Sequence, residues 1–514
     1  MARVKLVASA EVSTVDRASL DRFRGELIAS GFEPVDDDRH WWVGPIAEPL
    51  RELTEADTMR IRIEDGWPYR PPSLFVKGID SDHAVYDGEL CLYQGGDDSM
   101  GWVTFAGYQE RIASWVKAGA EGFRPEDELL DAHLFFRPVK RAAIATLNIS
   151  SLPIAVGEDS HGKLYGEERE GGRLYALSAT PPDGKHIDGR WYYLAEGPAV
   201  PPRNLETLIA ALSNRQRPNF ERRLANIASG HRLVLGLFWE TRFSGRNGLI
   251  LLGDVDDEGK PWIRSIELAP TDDEFRLMRA GPDVELLRQK SVTVFGVGAI
   301  GSNAACRLAE SGLGTLVLVD GERLRPSNLV RHAGFPIPGA SKVSATKIQI
   351  GFRAPWADVT AEQYSPWSES ELLPLIERSD LIVEATGSAA FAEYLSRIAA
   401  EAEVPMVSAA LYRGGNVARI RRQAIAGDVP LAERTDLERF PLIPSGEEPP
   451  PQREPGCGAA INNAAPVSVA AIAATAAEVA IDTLTARYQL VEEVIEVYRP
   501  LEEPPFNSIG RLRG

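Results

Sequence analysis

The sequence predicts three parts in series: an α+β domain over residues 1–141, a small α/β connector over 142–270, and a doubly wound α/β unit over 271–514. Three observations predict this order. A helix, short strand runs and renewed helical sequence fill the first segment. Strand runs around one helical stretch fill the second. From about 271 onward, fully apolar strand runs alternate with helices, the pattern of a parallel sheet covered on both faces. A length of 514 residues is itself a prior for about three domains.

In the first segment, Leu20, Phe23, Leu27 and Ile28 share one helical face within 14–31, and Gly31 is a stop signal. WWVGPI (41–46), MRIRI (59–63) and LFVK (74–77) read as strands, and 108–121 and 126–146 as helices. In the connector, WYYLA (191–195), RLVLGLFW (232–239) and LILLG (249–253) read as strands and 206–215 as a helix. His161, His186 and His231 are too scattered for a metal site. In the last unit VTVFGV (292–297), TLVLVD (315–320) and DLIVEAT (380–386) are the buried strands. No internal repeat is visible. The Pro- and Glu-rich stretch 426–458 is long enough to be a functional or disordered loop.

Composition narrows the function. A net charge of −18 and a pI near 5.0 argue against nucleic acid as the main partner. Three cysteines cannot build a disulfide framework or a four-cysteine zinc site, so a reducing, cytoplasmic setting is expected. MARVKLVASAEVS lacks the apolar run of a signal peptide. Ala464–Ala477 is apolar but is followed by Glu478 and Asp482 at helical spacing. It reads as a buried core helix, and no membrane partner is expected.

VFGVGAIGSNAACRLAESG places Gly296, Gly298 and Gly301 in GxGxxG spacing between a strand and a helix. Such glycines allow a tight turn and a close approach of phosphate to the helix N-terminus, where free N–H groups favour anions. Asp320 ends the next strand, in position to hold ribose hydroxyls. By itself this pattern fits an NAD-dependent oxidoreductase equally well.

The residues that follow add Asn328, Arg331 and Lys342 in order, in VDGERLRPSNLVRHAGF and GASKVSATK. With DLIVEATGS (380–388) and VPMVSAALYRGG (404–415), this resembles the adenylating (ThiF-type) domain of ubiquitin-activating enzymes and of bacterial enzymes that activate sulfur-carrier proteins. The resemblance covers about 271–500. It implies ATP and Mg2+ as cofactors, held by the three glycines, Asp320, Asn328, Arg331 and Lys342, with Arg331 and Lys342 also catalytic. Attack of a carboxylate on the α-phosphate of ATP needs cations over the triphosphate, and hydride transfer does not. Arg279 is a candidate additional cation. Two positions depart from the family pattern: His332 stands where the family has Gln, and Gly387 stands where it has a magnesium-binding Asp. Asp380 and Glu384 are the carboxylates left nearby, and the metal ligands stay unassigned.

GWPYRPPSLFVKGIDSDHAVYDGELCLY (66–93) resembles the core of ubiquitin-conjugating enzymes, through Trp67, Pro68, Tyr69, Pro71, Pro72, His83, Gly88, Cys91 and Leu92, with Trp102 downstream. The resemblance covers roughly 14–125. It implies that Cys91 accepts an acyl group as a thioester and passes it to an amine, chemistry that suits a thiolate. The family's His-Pro-Asn is here His83-Ala84-Val85, so either another oxyanion donor serves or the mechanism differs. His83, Tyr86 and the backbone N–H groups of Gly88–Cys91 are the nearest by sequence. Cys306, in the helix after the glycine loop, reads as a packing residue. Cys457, between glycines at the end of the long loop, is in the region where activating enzymes carry their acceptor cysteine.

The combined order resembles the fused conjugating–activating proteins of bacterial anti-phage (CBASS) operons. That resemblance implies a cGAS-like nucleotidyltransferase or ubiquitin-like protein as substrate, a target protein or small amine as acceptor, a relay through Cys457 and Cys91, and a homodimer. The competing readings are a sulfur-carrier-type adenylyltransferase with a non-catalytic conjugating fold, and the oxidoreductase.

Overall fold

The computed structural model describes residues 16–93, 100–123, 130–240, 246–437, 439–444 and 463–512. The chain divides into two compact units, 1–272 and 273–514.

The first unit opens with α1 (Arg17–Ala29), whose N-terminus is capped where the Asp16 carboxylate accepts from Ser19 N–H at 3.0 Å. An antiparallel meander follows: β1 (Glu33–Pro34), β2 (Trp41–Pro45), β3 (Thr58–Arg62), β4 (Ser73–Phe75) and β5 (Glu89–Leu90), paired in sequence order. Next comes α2 (Phe105–Glu121), started by Thr104. Phe23 and Leu27 of α1, Tyr108 and Ile112 of α2, and Trp42, Ile61 and Leu74 of the sheet are buried together. This is the expected α+β arrangement for the described part. The proline turn is held by aromatic donors: Trp102 Nε1 donates to Pro68 O at 2.8 Å, and Tyr108 Oη to Pro72 O at 3.2 Å.

The helix expected over 126–146 does not form among its described residues. They hold a short 3₁₀ turn, Ala132–Phe135, after which the chain runs beside a later strand, with Val139 N–H donating to Ser265 O at 3.0 Å and Ser265 N–H to Arg137 O at 2.9 Å. Long-range pairing of these apolar residues overrides their helical spacing.

The connector is a closed barrel, not the α/β layer expected. Its strands are β6 (Ile144–Leu147), β7 (Ser160–Arg169), β8 (Leu174–Ser178) and β9 (Ile187–Tyr193). Two helices follow, α3 (Leu205–Ala211) and α4 (Arg217–Ala228), and then β10 (Leu233–Glu240), β11 (Arg246–Val255) and β12 (Pro261–Pro270). The order around the barrel is β10-β11-β12-β6-β8-β7-β9, closed by parallel pairing of β9 with β10. The two helices form the crossover between β9 and β10. β6 also pairs in parallel, with β12 and with β8, and closure removes both sheet edges.

The second unit begins with short α5 (Asp273–Leu277) and α6 (Val284–Leu287). It continues β13 (Ser291–Phe295), α7 (Ala299–Glu310), β14 (Thr315–Val319), α8 (Lys342–Arg353), β15 (Asp358–Glu362), α9 (Glu369–Glu377), β16 (Leu381–Glu384) and α10 (Ala389–Glu401). It ends β17 (Met406–Tyr412), β18 (Val417–Gln423), α11 (Pro466–Leu484), β19 (Glu493–Val497) and β20 (Gly510–Leu512). The sheet order is β15-β14-β13-β16-β17-β18-β19-β20, parallel through β17 and antiparallel beyond it. Successive strand residues face opposite cores. Val292, Val294, Leu316 and Leu318 pack with α7 and α11, whereas Phe295, Val317, Val319 and Ile382 pack with α9 and α10. This is the doubly wound layer expected. Among the described residues α11 alone is long and apolar enough to cross a membrane, and its buried residues sit in this core against α7.

Candidate functional site

The strand order reverses around β13, which lies between β14 and β16, and the glycine turn leaves its carboxyl end there. Open α/β sheets bind ligands at such switch points. Each glycine has its own reason. Gly296 has φ +82°, and a Cβ on it would lie 2.6 Å from Thr386 Cα. A Cβ on Gly301 would lie 1.9 Å from Gly296 O, so only glycine lets α7 pack on the turn. A Cβ on Gly298 would enter open space, with Lys342 Nζ 3.9 Å away. Gly298 caps α7, so the first N–H groups of that helix border the same space.

A cavity of about 250 Å³ opens here, lined by Gly296, Gly298, Asp320, Lys342, Trp367 and Thr386 among others. The Asp320 carboxylate accepts from Val297 N–H and Glu322 N–H, each at 2.8 Å, and so ties the glycine turn to the end of β14. Burial raises its pKa, and Lys342, with Nζ 4.0 Å away, opposes that shift. Lys342 is buried at the start of α8 and pairs with the exposed Glu322 carboxylate. Trp367 is 56% exposed and packs edge-on against Phe391, which gives the cavity an aromatic wall.

A second cavity, about 400 Å³, shares Gly298, Ala385, Thr386 and Ser388 with the first and adds Arg331, Glu384, Gly387 and Arg421. Arg331 Nη1 donates to Ala464 O at 3.3 Å, and its carbonyl accepts from Asn303 Nδ2 at 3.0 Å. His332 is buried beneath the glycine turn. Its Nδ1 accepts from Gly334 N–H at 2.9 Å, so Nε2 carries the proton and donates to Val297 O at 2.7 Å. Burial holds its pKa down at about 4, although the Val297 carbonyl pulls the other way.

The described carboxylates do not assemble a magnesium site. Gly387 carries no ligand. Glu384 accepts from Thr386 N–H and Oγ1 and from Ser408 Oγ, at 2.6–2.8 Å. Asp380, at the other end of β16, pairs with Lys290 at 3.2 Å and accepts from Ser291. Among the described residues no three His, Cys, Asp or Glu side chains cluster as metal ligands.

The site thus brings together Gly296, Gly298, Gly301, Asp320, Arg331 and Lys342. Asn328 lines neither cavity: its amide oxygen accepts from Arg325 N–H at 2.9 Å and closes its own 3₁₀ turn. Arg279 is exposed and also lines neither. Cys457 falls outside the described residues. Cys306 is buried in α7, where burial pushes its thiol up to about 12, as suits a packing residue. The sequence reading missed His332 as a brace, Glu322 as the lysine's partner, and Arg421. The signal for Arg421 was the alternation of Arg419 and Arg421 along VARIRRQ, polar on one strand face.

In the first unit, half-buried Cys91 follows β5, and its N–H donates to His83 O at 2.9 Å. A cleft of about 320 Å³ beside it is lined by Arg62, Glu64, Arg70, Ser73, Val85 and Glu89 among others. The His83 ring is not among its walls: it is buried against Phe123, with centroids 3.7 Å apart. Four backbone donors of this loop are engaged: Tyr86 N–H with Leu134 O, Gly88 N–H with Val85 O, Glu89 N–H with Asp87, and Cys91 N–H with His83 O. The loop is held from outside by Arg203, which donates to Ser81 O at 2.6 Å and Val85 O at 3.3 Å.

Residues 273–503 match the model of the ThiF family. Uncharacterized protein y4qC of Sinorhizobium fredii is 30% identical over 160 residues, 29% of this chain and 27% of that protein. Molybdopterin-synthase adenylyltransferase of Escherichia coli is 30% identical over 132 residues, 25% of this chain and 52% of that protein. A crystal structure of E. coli MccB with ATP covers 43% of this chain and 66% of that one, at 15% identity and a TM-score of 0.34. The chain thus spans about a quarter to a half of the length of these two sequence relatives. The family match and the glycine-turn geometry coincide on the same segment, residues 273–503, which is similar to the ThiF family.

Proposed function

We propose that this chain uses ATP to adenylate the C-terminal carboxylate of a protein or peptide. The observation that carries the reading is Lys342, buried in the first cavity beside the Gly298 turn and the N-terminus of α7. Three sources of positive potential converge where a triphosphate would lie. A carboxylate oxygen attacks the α-phosphorus, the bond to the β-phosphate breaks, and pyrophosphate leaves with the bonding pair. Asp320 keeps lone pairs for ribose hydroxyls, and Trp367 offers its face to the base. Lys342 exchanges Glu322 for phosphate oxygens.

The finer proposal is a thioester relay. The Cys457 thiolate attacks the acyl carbon and expels AMP. Cys91 then takes the acyl group by thiol exchange, and an amine attacks the thioester, loses its proton and releases the Cys91 thiolate. In this reading the activated terminus belongs to a cGAS-like nucleotidyltransferase or a ubiquitin-like protein, and the enzyme works in the cytoplasm as a homodimer in anti-phage (CBASS) defence. The support is the pairing of the Cys91 motif with an adenylating segment in one chain. A second reading, in which the N-terminal domain only recruits a partner, is favoured by the apolar Val85 in the Cys91 cleft.

Incubation with α-labelled ATP and with labelled NAD tests the first step. Pyrophosphate exchange and labelled adenylate are expected. Binding of NAD with no affinity for ATP would sink the reading. Co-expression with neighbouring gene products, followed by mass spectrometry for isopeptide conjugates, tests the rest.

A further inference from the structure

The second cavity contains a side-chain series set by strand register. Glu384 of β16 pairs with Ser408 of β17, and Ser408 pairs with Arg421 of β18. Directly opposed residues project on the same sheet face, and the three are hydrogen-bonded in a line. Ser408 Oγ donates to Glu384 Oε2 at 2.7 Å and accepts from Arg421 Nη2 at 3.2 Å. The remaining bonds to Glu384, from Thr386, occupy its other oxygen.

Arg421 is therefore fixed but not neutralised. Serine separates it from Glu384. Its neighbour across β19, Glu493, is engaged with Arg419 and Arg434. Arg421 forms no ion pair among the described residues. Its Nε is buried with no hydrogen-bond partner, and a buried donor left unmade is costly. Nε is closed off and Nη2 is held by Ser408, so Nη1, which has no hydrogen bond among the described residues, is the donor left for an anion in the cavity that Arg421 lines. The cavity around it has no metal-ligand cluster among the described residues, and it adjoins the nucleotide cavity through Gly298, Ala385, Thr386 and Ser388.

We infer that Arg421 is the receptor for the carboxylate to be activated, holding a polypeptide C-terminus in the second cavity beside the α-phosphate. This rests on the adenylation reading. The arginine binds the anion before attack. As the carboxylate oxygen bonds to phosphorus, its charge moves to the departing pyrophosphate, and no proton is transferred.

The probe is a pool of tripeptides with free C-terminal carboxylates, alongside the same pool as carboxamides. ATP affinity is measured by calorimetry, and carboxylate use by pyrophosphate exchange. Wild-type protein should exchange with the carboxylate pool only. Arg421→Ala should keep its ATP affinity within about twofold, while its half-saturating peptide concentration rises at least about tenfold, the loss expected for a charge-assisted bond. Arg421→Gln should behave alike if the alanine variant misfolds, and Arg421→Lys should recover part of the loss. An unchanged half-saturation, or ATP binding that falls in parallel, overturns the assignment. So does a wild-type protein that binds ATP but uses neither pool. A wild-type protein that does not bind ATP overturns the adenylation reading itself.

Discussion

His332 Nε2 donates to the carbonyl of Val297 at 2.7 Å, bracing the glycine turn from beneath. Because Nδ1 accepts from Gly334 N–H, only the neutral ring satisfies both contacts. The folded pKa, about 4, lies below the usual 6.5. The unfolded chain therefore binds the extra proton first as pH falls. The contribution of His332 is complete above pH 6.5 and is lost progressively toward pH 4, up to on the order of 3 kcal/mol. Denaturant unfolding across that window should show the loss, and His332→Gln, which can still donate, should flatten it. Equal slopes in the two proteins would refute the assignment.

Gly296 and Gly298 should fail differently. Gly296→Ala forces a Cβ to 2.6 Å from Thr386 Cα at positive φ and should lower the melting temperature. Gly298→Ala meets open space and should melt like wild type, yet bind ATP at least several-fold more weakly because the added methyl stands where phosphate must approach. Parallel effects in both assays would show that the second glycine is structural.

If the proposed adenylation holds, Lys342→Ala should abolish pyrophosphate exchange, since such phosphoryl chemistry depends mostly on charge neutralisation. Glu322→Gln removes the carboxylate that competes with phosphate for this lysine, so calorimetry should report tighter ATP binding, by a few-fold. Weaker binding would mean that Glu322 itself helps hold the nucleotide.

With the proposed relay, Cys457→Ala should make adenylate but no DTT-sensitive adduct, Cys91→Ala should keep the adduct but form no conjugates, and Cys306→Ala should lose neither. Gel analysis with and without DTT reads all three. Loading of Cys91 in Cys457→Ala would mean direct transfer from the adenylate. Full conjugation by Cys91→Ala would leave the N-terminal domain as a recruiting scaffold.

His83 and Arg70 should separate packing from chemistry at Cys91. His83→Phe keeps a ring against Phe123 and should discharge a preformed Cys91 thioester normally. Arg70 lines the cleft, where the N–H groups of Tyr86, Gly88, Glu89 and Cys91 are engaged elsewhere. Arg70→Gln should slow aminolysis by roughly 10²-fold, the scale of a lost oxyanion donor. Normal discharge by the glutamine variant would exclude Arg70 from that role.

The sequence by itself determined the glycine turn, the apolar strands of the doubly wound sheet, the place of Lys342 at the start of a helix and the packing role of Cys306. Each is written in local spacing: a φ that only glycine tolerates, a run of apolar residues, or a charge at the first turn of a helix. Tertiary structure alone decided the rest. The connector closes into a barrel because β9 and β10, far apart in the chain, pair in parallel. Asn328 turns away to close its own 3₁₀ turn, and His83 packs on Phe123. Glu384, Ser408 and Arg421 come into line through the register of three strands. Register is set by pairing between distant segments, and a slip of one residue would turn Arg421 to the opposite face of the sheet.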